Sequence, residues 1–76
     1  MATYHELSGS VEDFGKRLQW LRERKQISRR LLADMVLCSK DTICRYERGE
    51  RLPDIATATL IAEYFEVSLD WLIGKY

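Results

Sequence analysis

Apolar positions along the chain recur at three- and four-residue intervals and nowhere alternate over any length, so the pattern predicts helices rather than strands. Val11, Phe14, Leu18 and Leu21 share one face of a first helix of about 11–26. Ser10, followed by Glu12 and Asp13, supplies an oxygen cap and acids at the positive end of the helix dipole. Ser28 caps a second helix reaching about Val36, with Leu32, Ala33 and Val36 inward. Ser39 caps a third over Lys40–Arg48, which Gly49 closes. Pro53 suits the first turn of a fourth helix running to about Phe65, with Ile55, Ala58, Thr59, Ala62 and Phe65 inward. Ser68 and Asp70 open a short fifth, Leu69–Ile73, ended by Gly74. The pattern therefore predicts an all-α fold, a compact five-helix bundle over residues 11–76 behind a polar N-terminal segment of residues 1–10.

The second and third helices carry the most information. Only Leu37 and Cys38 separate Val36 from the cap at Ser39. So short a connection forces a steep crossing and predicts a helix-turn-helix at about 28–48. At about 100° per residue, Lys40, Asp41, Cys44, Arg45 and Arg48 fall on one face of the third helix. Thr42, Ile43 and Tyr46 fall on the other, toward the core. An outward Lys/Asp/Arg face opposite an apolar stripe is what a helix needs to read a DNA major groove. Any amphipathic surface helix shares that split, so the face alone also fits a solvated surface or a protein-interaction module.

Charge tips this balance. The chain has 76 residues and a formal net charge of zero, but the zero hides an uneven distribution. Between residues 14 and 51 stand eleven Lys and Arg (Lys16, Arg17, Arg22, Arg24, Lys25, Arg29, Arg30, Lys40, Arg45, Arg48 and Arg51) against five acids, leaving +6. Residues 1–13 and 52–76 each sum to −3. A basic middle between acidic ends is the footprint to look for with a nucleic-acid partner, and a set of solvated helix faces is the alternative that charge alone leaves open.

The remaining composition mostly excludes. At 46% hydrophobic and 32% charged residues, the chain is too apolar to be disordered. It holds no apolar run long enough for a membrane span. Met1–Ser10 has neither a basic n-region nor an apolar h-region, so the expected location is the cytoplasm. Two cysteines make neither a disulfide scaffold nor a four-ligand zinc site. With a single histidine, His5, and no glycine-rich phosphate loop, the expectation is no enzyme, no cofactor and no metal.

From Phe14 to Gly74 the chain resembles the phage-repressor/Cro-type (XRE) helix-turn-helix family. The resemblance rests on Phe14-Gly15-Lys16-Arg17-Leu18…Leu21-Arg22, Ser28…Leu32-Ala33, Ser39…Thr42-Ile43-Cys44-Arg45-Tyr46-Glu47-Arg48-Gly49 and Pro53. It continues through Leu60-Ile61-Ala62-Glu63…Val67-Ser68-Leu69-Asp70-Trp71-Leu72-Ile73-Gly74, close to the tail of lambdoid repressor DNA-binding domains. It implies sequence-specific binding of double-stranded DNA by a transcriptional regulator, a repressor of phage or mobile-element type, acting as a homodimer on a pseudo-palindromic operator. An antitoxin or a restriction-modification controller carries the same domain. A protein-interaction module of the same fold is the alternative from another class, disfavoured by the basic outward face.

Roles carry over one position at a time. Lys40, Asp41 and Arg45 stand where lambdoid repressors contact bases; lysine and arginine suit guanine, and aspartate can accept from cytosine. Ser39 and Thr42 match phosphate or capping positions. Arg29 replaces a glutamine that grips phosphate, and Arg48 and Arg51 lie where the family's loop follows the DNA backbone or minor groove. Cys44 stands in for a serine at the centre of the reading face, while Cys38 takes the turn position of a small buried residue. Arg22 and Glu47 match an ion pair between the first and third helices.

The family prefers glycine where this chain has Leu37 and Glu66. A left-handed backbone there costs about 1 kcal/mol. Trp20, Leu31 and Met35 are apolar where the family carries charge, and Leu60 and Tyr64 fall outside the inner stripe of the fourth helix. Either set forms a satellite cluster or a surface for a protein partner.

Overall fold

The computed structural model describes residues 11–74, with side chains from Asp13 onward. The polar segment 1–10 with its Ser10 cap, and the inward place given to Val11, lie outside the described residues and side chains. Among the described residues there are five helices and no strand: α1 Val11–Arg24, α2 Arg29–Met35, α3 Lys40–Glu47, α4 Ile55–Phe65 and α5 Leu69–Ile73. None of these helices is long and apolar enough to cross a membrane.

Side-chain oxygens start four of the helices. Ser28 accepts from the Leu31 amide, Ser39 from Thr42, Asp54 from Thr57 and Ser68 from Trp71. Each bond satisfies one of the amides that a helix N-terminus leaves without a partner. Pro53 is thus not the first helical residue of α4. It precedes the cap, because Asp54 offers the acceptor that proline lacks, at 2.8 Å from the Thr57 nitrogen.

One closure ends four helices. A residue with a left-handed backbone is followed by an amide that bonds the carbonyl five residues back. The pairs are Ile27 to Arg22, Cys38 to Ala33, Glu50 to Arg45 and Val67 to Ala62. The left-handed residues are Gln26 (φ 60°), Leu37 (φ 60°), Gly49 (φ 76°) and Glu66 (φ 59°). Leu37 and Glu66 therefore do occupy left-handed positions, and Gln26 is a third that shortens α1 from about 26 to Arg24. Only one of the four is glycine. The other three accept the steric cost because the closure fixes the chain direction into the next helix.

The core gathers one stripe from each helix: Phe14, Leu18 and Leu21; Leu32, Ala33 and Val36; Ile43 and Tyr46; Ile61 and Ala62; Leu72. Phe14 and Tyr46 meet edge to face at 5.6 Å. Burying each large aliphatic or aromatic side chain contributes about 1.5–3 kcal/mol. In α4 the buried stripe is Ala58, Ile61 and Ala62, so Ile61 takes a core place and Ile55, expected inward, is 69% exposed. Ile55 lies in the first turn, beyond the edge of the core.

The two apolar sets noted in the sequence divide differently. Trp20, Leu60 and Tyr64 pack against the core, with Trp20 edge-on to Trp71 at 6.2 Å and Tyr64 edge-on to Phe65. Leu60 and Tyr64 are thus part of the fold rather than a free surface. Leu31 and Met35 stay exposed on α2.

Gly15 lets α1 approach α3. A β-carbon there falls 2.9 Å from the Glu47 carbonyl oxygen and nearer still to that of Tyr46. Both are backbone atoms at the C-terminal end of α3, so the space exists only for glycine.

Candidate nucleic-acid interface

The orientation of α3 is set from below by Ile43 and Tyr46, buried at 0% and 3% exposure, and from its end by Glu47. The Glu47 side chain is only 2% exposed. Its carboxylate accepts from Arg22 Nε at 2.7 Å and Arg22 Nη2 at 3.3 Å. The same carboxylate accepts from Arg29 Nε at 2.8 Å. Arg22 also donates to the Ile27 carbonyl at 3.0 Å. One acid on α3 therefore binds one arginine on α1 and another on α2, tying all three helices at a single point. The Arg29 guanidinium, hydrogen-bonded to and attracted by Glu47, is held above the usual arginine range.

Above this anchor α3 turns a polar face outward. Ser39, Lys40, Asp41, Arg45 and Arg48 are exposed, and Thr42 is half-buried with its hydroxyl 2.9 Å from Ser39 Oγ. Asp41 and Arg45 pair one turn apart, Arg45 Nε to Asp41 Oδ2 at 2.9 Å. Arg48 pairs with Glu50 at 3.3 Å, and Arg51 is exposed in the loop that follows. Glu50 was not singled out in the sequence, although its two-residue spacing from Arg48 was visible there.

Cys44, on the same face by its helical phase, is half-buried. The basic middle is less superficial than its count implies, because Arg17 and Arg22 are buried. The Arg22–Glu47 pair is the one the family resemblance implied, whereas the burial of Arg17 was not legible in spacing. The second bond of Glu47, to Arg29, was missed for the same reason: it joins residues 18 apart.

Cys38 lies in the turn, half-buried, its thiol donating weakly to the Val36 carbonyl at 3.6 Å. Burial pushes this thiol above its ordinary range, which keeps it protonated and unreactive at neutral pH. Tyr46 is raised as well, again chiefly by burial.

Two helices joined by a four-residue connection, the second presenting a polar face over a buried stripe, define a helix-turn-helix domain. The helix-turn-helix family profile matches residues 18–72, and the chain belongs to that family, in its phage-repressor/Cro-type branch.

Known relatives agree. The chain is 34% identical over 59 residues to the HTH-type transcriptional regulator AnsR of Bacillus subtilis (strain 168), covering 78% of this chain and 51% of AnsR. It is 30% identical over 62 residues to the HTH-type transcriptional activator BcrR of Enterococcus faecalis, covering 82% and 30%. The fold is similar to the restriction-modification controller protein C.AhdI from Aeromonas hydrophila, with a TM-score of 0.75 and 26% identity. That match covers 82% of this chain and 94% of C.AhdI. The chain spans between about a third and half the length of the curated relatives it matches.

Proposed function

We propose that this domain binds double-stranded DNA sequence-specifically as a transcriptional regulator, laying α3 in the major groove. The observation that carries this is the α3 face: Lys40, Asp41, Arg45 and Arg48 stand exposed over a stripe that is fully buried. Lys40 and Arg45 read bases, while Ser39 and Thr42 meet phosphate near the helix N-terminus. Arg29, Arg48 and Arg51 grip the backbone. Arg29 can do so while bonded, since Glu47 takes only its Nε. No enzymatic step belongs to this reading.

One such helix specifies only a few base pairs, so the domain acts as a homodimer on a pseudo-palindromic operator. Its half-sites lie about 34 Å, or 10–10.5 bp, apart. The location that follows is the cytoplasm, and a repressor of phage or mobile-element type is the preferred biological setting. A restriction-modification controller is the second reading, favoured because C.AhdI is similar over 94% of its own chain.

Selection from a random duplex library tests the proposal, and the expected product is a two-fold related site. With about three or four phosphates neutralised per protomer, the log–log salt slope should be about −5 to −7. Recovery of a single asymmetric half-site bound by a monomer refutes the dimeric reading. Recovery of no preferred sequence refutes base reading by α3.

A further inference from the structure

Asp41 and Arg45 both stand where bases are contacted, yet they are bonded to each other. Arg45 donates through Nε to Asp41 Oδ2 at 2.9 Å, one helical turn apart. Asp41 already spends an acceptor on its neighbour. The guanidinium is planar and presents donors along two edges, and the bond to Asp41 engages only Nε. Its Nη1–Nη2 edge is left for a second pair of acceptors in the same plane. Guanine offers such a pair in the major groove, O6 and N7, and no other base presents two acceptors there. An unpaired arginine of this exposure samples many rotamers, and freezing it on a base costs affinity.

We propose that Asp41 is a positioning residue: its carboxylate holds the Arg45 side chain in the rotamer that donates two hydrogen bonds to one guanine. Asp41 then reads no base itself, and cytosine recognition by its carboxylate drops out. The carboxylate has a second effect. Close to the DNA phosphates it is repelled, so it lowers affinity for any duplex while sharpening choice at one base pair.

This inference rests on α3 reading bases, and the test separates the two. Library selection and competition binding are run on the wild-type protein and on Asp41→Ala, Asp41→Asn, Arg45→Ala and Lys40→Ala. The wild type should select a guanine at one position of each half-site. Arg45→Ala should lose about tenfold or more of the preference at that position. Asp41→Ala should lose about three- to tenfold at the same position, the scale of fixing one flexible side chain, while binding random duplex as well as or better than wild type. Asp41→Asn keeps an acceptor for Nε and should fall between. Lys40→Ala should leave the guanine preference intact and act at another position. All variants should melt like the wild type, because an exposed pair one turn apart contributes little to the fold.

Three results overturn the proposal. One is Asp41→Ala keeping the full guanine preference that Arg45→Ala loses, which leaves base reading intact but makes the pair incidental. Another is Asp41→Ala relaxing a different base pair, which makes Asp41 a direct reader. The third is no base preference in the wild type, which refutes α3 as a reading helix and the positioning role with it.

Discussion

Glu47 offers the sharpest test of how this domain holds its shape. Its carboxylate is 2% exposed and takes three hydrogen bonds from two arginines on two other helices. Breaking one partner of a buried ion pair costs about 3–5 kcal/mol, since the remaining charge stays desolvated. A domain of this size holds roughly 4–11 kcal/mol in all. Glu47→Ala therefore removes a large share of the total, and the melting temperature should fall by roughly 12–40 °C at about 4–8 °C per kcal/mol.

The loss should not divide evenly between the arginines. The Arg22 side chain is 11% exposed and the Arg29 side chain 40%. Without Glu47, Arg29 can swing into water, but the more deeply buried Arg22 keeps the Ile27 carbonyl and a longer contact, 3.9 Å, with the exposed Glu23 carboxylate. A double-mutant cycle on melting should thus give Arg22–Glu47 a clearly larger coupling than Arg29–Glu47. Circular dichroism melts at 222 nm provide the stabilities, and duplex binding is measured well below the lowest midpoint. Binding by Glu47→Ala should track the folded fraction. A variant that melts within 1 kcal/mol of wild type refutes the anchor. One that stays folded yet binds no DNA makes Glu47 a contact residue instead.

Gly15→Ala should destabilise by about 1–3 kcal/mol, because the added methyl meets backbone oxygens of α3 that cannot rotate away; an unchanged melt contradicts the close approach. Leu37→Gly should stabilise by about 0.5–1 kcal/mol, since Leu37 has φ 60° and is 82% exposed, so glycine relieves strain and removes little packing; an equal or lower melting temperature refutes this. Asp54 titrates below the ordinary carboxylate range, first through its bond to the Thr57 amide. A depressed folded pKa means that its contribution is fully present above the unfolded value of about 3.9 and is lost as pH falls through the folded value. Asp54→Asn keeps a capping oxygen without the titration, so its melting midpoint should fall less steeply than the wild type's below pH 4, and identical slopes refute the assignment.

The elements were legible because they rest on local chemistry. Serine caps at residues 28, 39 and 68 act within three residues of themselves, and glycines at 49 and 74 close helices by their own backbone freedom. The face of α3 followed from 100° steps. What failed depended on helix ends or on distant partners. Pro53 was expected in the first turn of α4 but lies just before the Asp54 cap, because a small shift of a helix start changes no periodicity, and Ile55 was expected inward because periodicity does not reveal where the core stops. The burial of Arg17 escaped a linear tally of charge, which carries no burial, whereas the Arg22–Glu47 pair was implied by the family resemblance. Arg29 looked like a free phosphate grip because nothing near it in sequence announces Glu47.

That last pair joins the fold to the site. In a helix-turn-helix the reading face is useful only if its angle to the phosphate grips stays fixed, and short helices provide little rigidity of their own. Here the same carboxylate that anchors the end of α3 also holds Nε of the residue at the start of α2. In the proposed function, the spacing between Arg29 as backbone grip and the residues of α3 that would read bases therefore does not depend on packing alone. The hydrophobic stripe sets which way α3 faces, and the Glu47 cluster sets where that face stands relative to Arg29. A variant such as Arg29→Lys keeps the positive charge but has no planar group to donate to Glu47 and phosphate together. It should retain the salt slope while losing operator preference relative to random duplex. An unaltered preference would mean that α3 is positioned by its apolar contacts alone.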